Sequence, residues 1–222
     1  MNIRTPTRIT KLSAILIAVL ALLAGVLGAG WWRASQQIPI KPNAVDIGFA
    51  QAMSRHHQQA ILMAQLMLDG RPTPLKALAR NIAGAQMREL GEMQGWLKLW
   101  NAPLVVWPPN MDWMLQGRNP PDASLKQYLL DCSRAPSGMV GLATDVDVMK
   151  LRTLTGRARD AHFLALMRAH HEGGLPMTRF AANEAQLPVV QRLAKNIVRE
   201  QSQELYYLMR AQQAMKDAQA AN

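Results

Sequence analysis

Cysteine is nearly absent: Cys132 stands alone among 222 residues. One thiol cannot close an internal disulfide, so the fold does not depend on one. Aromatic residues are scarce too, at 5%, and long stretches of Ala, Leu, Met and Gln favour helix over sheet. The first 33 positions contain no acid, although they hold Arg4, Arg8, Lys11 and Arg33. The formal charge of +10 therefore falls to about +6 over the rest of the chain, spread rather than gathered. With no basic stripe and no base-reading side chains beside one, no nucleic-acid partner is expected. Glu-x-x-His is missing as well, and only two carboxylates fall at core positions of the helices that carry the histidines or pair with them. That excludes the carboxylate-rich di-iron site of ferritin-like bundles.

What is present begins with an apolar run. Leu12 to Gly30 forms nineteen uncharged positions with one hydroxyl, Ser13, behind a basic start. That is long enough to cross a bilayer. A cleaved signal peptide would have a shorter apolar region and a clearer small-x-small site than Gly28-Ala29-Gly30. A retained anchor also accounts for Trp31-Trp32-Arg33 as an interfacial belt. In either case the positive-inside rule places the rest of the chain outside the cytoplasm: single-pass in the cell membrane if retained, secreted or periplasmic if cleaved.

The main chain of the domain says nearly the same thing twice. Asp46, Phe49, Met53, His56, His57 and Met63 recur 114 residues later as Asp160, Phe163, Met167, His170, His171 and Met177. Leu78, Ala79, Asn81, Ile82, Gln86, Glu89 and Leu90 recur 115 residues later, from Leu193 to Leu205. An internal repeat fixes the architecture. Residues 1–33 read as a cytoplasmic tail and membrane segment, and 34–44, with Pro39 and Pro42, as a tether. Residues 45–101 form a first helical hairpin and 102–143 a proline-rich surface connector with one helical turn near Leu125 to Leu130. Residues 144–222 add a short helix capped by Thr144 and a second hairpin. Asp46 and Asp160 read as helix caps. The fold expected is all-α, a four-helix bundle of two related hairpins.

On a helix that turns about 100° per residue, Met53, His56, His57, Ala60 and Met63 lie within an arc of roughly 120°. Met167, His170, His171, Gly174 and Met177 fill the same arc. This inward stripe carries imidazole and thioether where leucine would serve, and small residues at Ala60 and Gly174 leave room beside the rings. Buried imidazoles cost free energy unless each finds a partner. Metal ligation is therefore expected at His56, His57, His170 and His171, with Met53, Met63, Met167 and Met177. From the partner helices, Glu89 and Glu204, with Gln86 and Gln201, serve either as acceptors for imidazole N–H groups or as direct ligands. Thioether is a soft donor that suits copper(I) and silver(I), and imidazole takes both copper states, so copper is the cofactor expected. Met67, Met87 and Met149 read as gap-filling core, His162 as exposed, and Cys132 as a bystander.

The pattern Asp-x-x-Phe-x-x-x-Met-x-x-His-His-x-x-(Ala/Gly)-x-x-Met, followed by a helix with Gln-x-x-Glu, resembles bacterial domain-of-unknown-function family three hundred and five. That family contains exported or membrane-anchored ferritin-like helical proteins, CopM-like copper binders among them. The resemblance covers about 45 to 100 and 144 to 216. It implies a ferritin-like bundle handling copper outside the cytoplasm. The matching positions are His56, His57, His170, His171 and the bracketing methionines. The function expected is metal buffering, delivery or tolerance, and the alternatives are a copper-dependent oxidoreductase and a purely structural bundle. In the second copy Gly173, Gly174 and Pro176 interrupt good helix formers. A looser, weaker site is expected there.

Overall fold

The structure is a computed structural model that describes residues 8–35 and 41–220. Among the described residues every regular element is helical. The chain divides into a unit ending at Lys41 and a unit from Pro42 onward. The first unit is α1 (Arg8–Ser35), in which Ile15–Trp32 is apolar, exposed and long enough to cross a membrane. Residues 1–7 of the expected tail (with Arg4) and 36–40 of the tether (with Pro39) lie outside the described residues.

The second unit contains α2 (Ala44–Met67), α3 (Lys76–Leu99), α4 (Ala123–Arg134), α5 (Asp145–Thr153), α6 (Gly156–Glu184) and α7 (Pro188–Ala220). Helices α2 and α3 form one hairpin, α6 and α7 the other, and α2 packs on α6 between them. Phe49 and Phe163, the repeated aromatics, are fully buried. Pro188 opens α7, where its missing N–H costs nothing.

The repeated aspartates are not caps in the sense expected. Asn43 caps α2: its side chain accepts from the Asp46 amide, and Asp46 returns the bond to the Asn43 amide, each at 2.9 Å. The other oxygen of Asp46 accepts from the amides of Gln186 and Leu187, at 3.1 and 3.0 Å, in the loop of the second hairpin. Asp160 lies inside α6, which already starts at Gly156, and accepts from the Thr73 hydroxyl at 2.7 Å in the loop of the first hairpin. Each aspartate thus holds the other hairpin's loop. Since the start of each helix meets the end of the other, α2 and α6 run antiparallel.

The connector is more than surface. Met111, Trp113, Met114, Tyr128, Cys132 and Met139 are buried in the core that holds Phe49. A short 3-10 turn, Asp112–Gln116, seats Trp113 against Gly48, where an added Cβ would lie 2.2 Å from the Trp113 Cβ. The expected single turn near Leu125 is a twelve-residue helix, α4, capped by Asp122. Residues 137–143 then cross the α2–α6 seam as a strap. Gln59 holds both backbone groups of Ala143, at 2.9 and 2.8 Å, and Arg55 donates to the Ser137 carbonyl at 2.9 Å. Gly141, at φ +90°, lies so close to α6 that a Cβ on Gly173 would be 2.5 Å from its Cα.

Three smaller expectations change. Met67 is core, but Met87 and Met149 are half exposed, at 50% and 45%. His162 is half-buried and its Nε2 meets the Asp147 carbonyl at 2.8 Å, which ties α5 to α6. Arg159, fully buried, joins the α2 end to α5 through the carbonyls of Leu66 and Leu151 and the Asp69 carboxylate.

Candidate metal centre

The antiparallel crossing of α2 and α6 brings the two histidine pairs into one buried seam. The His56 and His170 rings lie face to face with centroids 3.6 Å apart and planes 35° apart. His57 and His171 flank them, and none of the four has exposed surface. Gly174 permits this packing, because a Cβ there would stand 2.6 Å from the His56 Cε1. The glycines of the second copy are therefore explained by close approach: Gly174 accommodates a ring and Gly173 the strap. Helix α6 runs on through Pro176 as one helix of 29 residues. The glycines and proline of the second copy do not end the helix.

Hydrogen bonds fix which nitrogen of three rings carries the proton. His57 Nε2 lies 2.6 Å from Glu89 on α3, and His171 Nε2 lies 2.6 Å from Glu204 on α7. A carboxylate can only accept here, so Nε2 donates in both rings. His170 Nε2 likewise donates to the His56 carbonyl at 2.8 Å. Glu89 and Glu204 thus sit where carboxylates orient metal-binding imidazoles in many proteins. Of the two roles open to them in sequence, the structure shows the acceptor.

The seam leaves its remaining polar atoms without partners. Both nitrogens of His56 and Nδ1 of His57, His170 and His171 have none among the described residues, and neither do the side-chain amides of Gln86 and Gln201. Buried polar groups are ordinarily satisfied, so these atoms fit a ligand. Among the described residues no three His, Cys, Asp or Glu side chains come together as a metal cluster. A cation here would need donors of another kind, and buried methionines lie to either side. Met53 and Met177 belong to the core cluster on one side of the histidines, Met63 and Met167 to the cluster on the other. Each side receives one thioether from each copy. Imidazole with thioether is a donor set for a soft ion. Cys132 stands apart, beside Tyr128, with its thiol pKa raised by burial.

Burial, reinforced by the neighbouring imidazoles, holds the pKa values of His56 and His170 well below the ordinary histidine value. Both are neutral at pH 7 and ready to donate a lone pair. In the unfolded chain they would take up protons near pH 6.5, so the unfolded state binds more protons below that pH. Stability of the metal-free protein is expected to fall as pH drops below about 6.5, by up to about 1.4 kcal/mol per pH unit for each ring. Chemical denaturation at pH 7, 6 and 5 measures the slope. A His56→Ala, His170→Ala protein should lose most of it.

Sequence alone pointed to the four histidines and the carboxylates, and the structure brings all of them to one seam. It gave no sign of the strap or of Glu200, a half-buried α7 residue whose pKa is raised by burial and by the charges of Glu89 and Glu204. A signal for Glu200 was available, since it lies four residues before Glu204 on the same helix.

A four-helix bundle of two repeated hairpins, with a histidine seam braced by carboxylates, defines the class. Residues 46–212 match the family described as Domain of unknown function (DUF305), and the chain belongs to that family. It is similar to a DUF305 protein from Streptomyces coelicolor, described as secreted, at 33% identity and TM-score 0.64, covering 78% of this chain and 94% of that one. It is similar to a DUF305 fragment from Deinococcus radiodurans at 26% identity and TM-score 0.60, covering 78% of this chain and 99% of that one. Copper(II)-bound CopM matches at 27% identity and TM-score 0.55, covering 76% of this chain and 96% of that one. No curated protein matches the chain.

Proposed function

We propose that this bundle binds copper(I), or silver(I), outside the cytoplasm for buffering, delivery or tolerance. The observation that carries the reading is the set of five imidazole nitrogens without partners in a fully buried seam. Buried methionines from both copies on either side of that seam supply the soft donors. CopM, a structural neighbour, is known in copper- and silver-bound forms. In this reading His56, His57, His170 and His171 donate nitrogen, and Met53, Met63, Met167 and Met177 donate sulfur. Glu89 and Glu204 hold His57 and His171 with Nδ1 free. The sealed seam keeps water from the ion, which favours the singly charged soft state.

The exposed Trp31 and Trp32 at the end of α1, 74% and 62% accessible, support a retained membrane anchor. Titration of the full chain in detergent with copper(I), silver(I) and zinc tests the main reading. Tight uptake of the first two and weak uptake of zinc are expected. Indifference to copper and silver would refute it, and copper-dependent oxidation of an added reductant would favour the enzyme. Fractionating the same cells with alkaline carbonate tests the anchor, which requires the uncut protein to stay with the membranes.

A further inference from the structure

We propose that the metal ion reaches the seam between α3 and α7, drawn in by Glu200 and passed inward by Glu204 and Glu89. The proposal rests on the copper reading and adds a route to it. The ligands have no exposed surface, so an ion must arrive by some face of the bundle.

The face on the connector side is closed. Gly141 sits against the carbonyls of Ala169 and His170 and the Cα of Gly173, too near for even a methyl group. Gln59 and Arg55 tie the same strap to α2, and Tyr128 donates to the Gly173 carbonyl at 2.9 Å. Backbone lies on backbone over α6 there, and the charged side chain that ties the strap to α2, Arg55, is itself a cation.

The opposite face has the reverse character. Exposure falls stepwise along its carboxylates: the Glu200 side chain is 36% accessible, Glu204 16%, Glu89 9%, and the histidines they lead to 0%. Glu200 feels both of the deeper carboxylates electrostatically. Gln86 and Gln201 lie one helical turn before Glu89 and Glu204, only 1% and 2% exposed, and no group among the described residues satisfies either amide. Their carbonyl oxygens offer a partly dehydrated cation something to hold one turn from the carboxylates. Arg88 and Arg199 flank Glu200 and reduce its field. That arrangement gives a test of sign, because removing either sort of charge should move the rate in opposite directions.

The experiment is stopped-flow mixing of the full chain in detergent with silver(I), and separately with chelator-buffered copper(I), at several salt concentrations. Glu200→Gln should slow association roughly three- to tenfold at low salt, and the difference should shrink as salt screens the charge. Glu200→Lys should be slower still, and Arg199→Gln faster than wild type. Equilibrium affinity, measured by competition, should change little, because Glu200 lies on the path and not at its end. Asp131→Asn, an exposed acid on α4, should match wild type, and circular dichroism checks the fold of each variant. An unchanged rate in Glu200→Gln would overturn the proposal. So would faster association in Gln59→Ala, which loosens the strap and would place the route on the connector side. If wild type takes up neither ion, the copper reading itself fails and this route falls with it.

Discussion

Replacing His56 and His57 together by alanine is expected to weaken copper(I) binding by more than about 100-fold, and replacing His170 and His171 by a similar factor. Loss of an outer carboxylate at metal sites costs about 10- to 100-fold, and loss of the donors themselves should exceed it. Equality between the two variants is the informative part. The glycines and proline of the second copy, taken alone, predict a weaker second site. The contact between the copies argues for equal losses instead: His56 of one stacks on His170 of the other, over the space that Gly174 leaves. Each double variant removes half of one arrangement. Competition with a copper(I) chelator measures both, with helicity checked by circular dichroism. A tenfold difference between them would show that the copies bind separately. Glu89→Gln, which keeps the shape but weakens the acceptor for His57, should lose about 10- to 100-fold.

Gly173→Ala is expected to destabilise the fold although it improves helix propensity by about 1 kcal/mol. The new Cβ would meet the Gly141 Cα and the Val140 carbonyl at 2.5 Å, and both are backbone. The strap must then lift from α6, pulling on the Gln59 bonds to Ala143. Overpacking of this sort costs about 1–3 kcal/mol, and for a chain of this size each kcal/mol lowers the melting temperature by about 2–4 °C. Gly91→Ala is the matched control. Nothing lies within 4 Å of a Cβ there, so thermal melting should show a gain of a few tenths to about 1 kcal/mol. Similar gains from both would mean that the strap does not press on α6.

The bundle and its seam were legible because helical periodicity turns sequence spacing into direction. Once His56, His57 and Met63 fall on one arc, only burial remains to be checked. The repeat then supplies the second half at a known offset. The connector was not legible because its burial has no period: Trp113 is core through the gap at Gly48, more than sixty residues away. Its prolines suggested surface, yet a short 3-10 turn carries Met111 and Met114 inward and α4 carries Tyr128. The aspartates misled for a related reason. An acid near a helix start reads locally as a cap, whereas Asp46 and Asp160 each spend an oxygen on a loop some 87 to 141 residues distant. Met87 and Met149 failed because they lie off the inward arc, and composition had outweighed angle.

The crossed aspartate contacts have a consequence for symmetry. Asp46 holds the loop at Leu187, and Asp160 holds it at Thr73. Leu187 stands at the repeat offset of 114 from Thr73, just as Asp160 does from Asp46. The contact made by i with j is thus repeated by the mate of i with the mate of j, which is the rule of an isologous dimer. A single chain obeys it here, with the connector joining what would otherwise be two subunits. On such an axis a residue faces its own counterpart, as His56 faces His170. Any ion held there would be shared by both halves in equal measure, and neither hairpin alone would own a complete site.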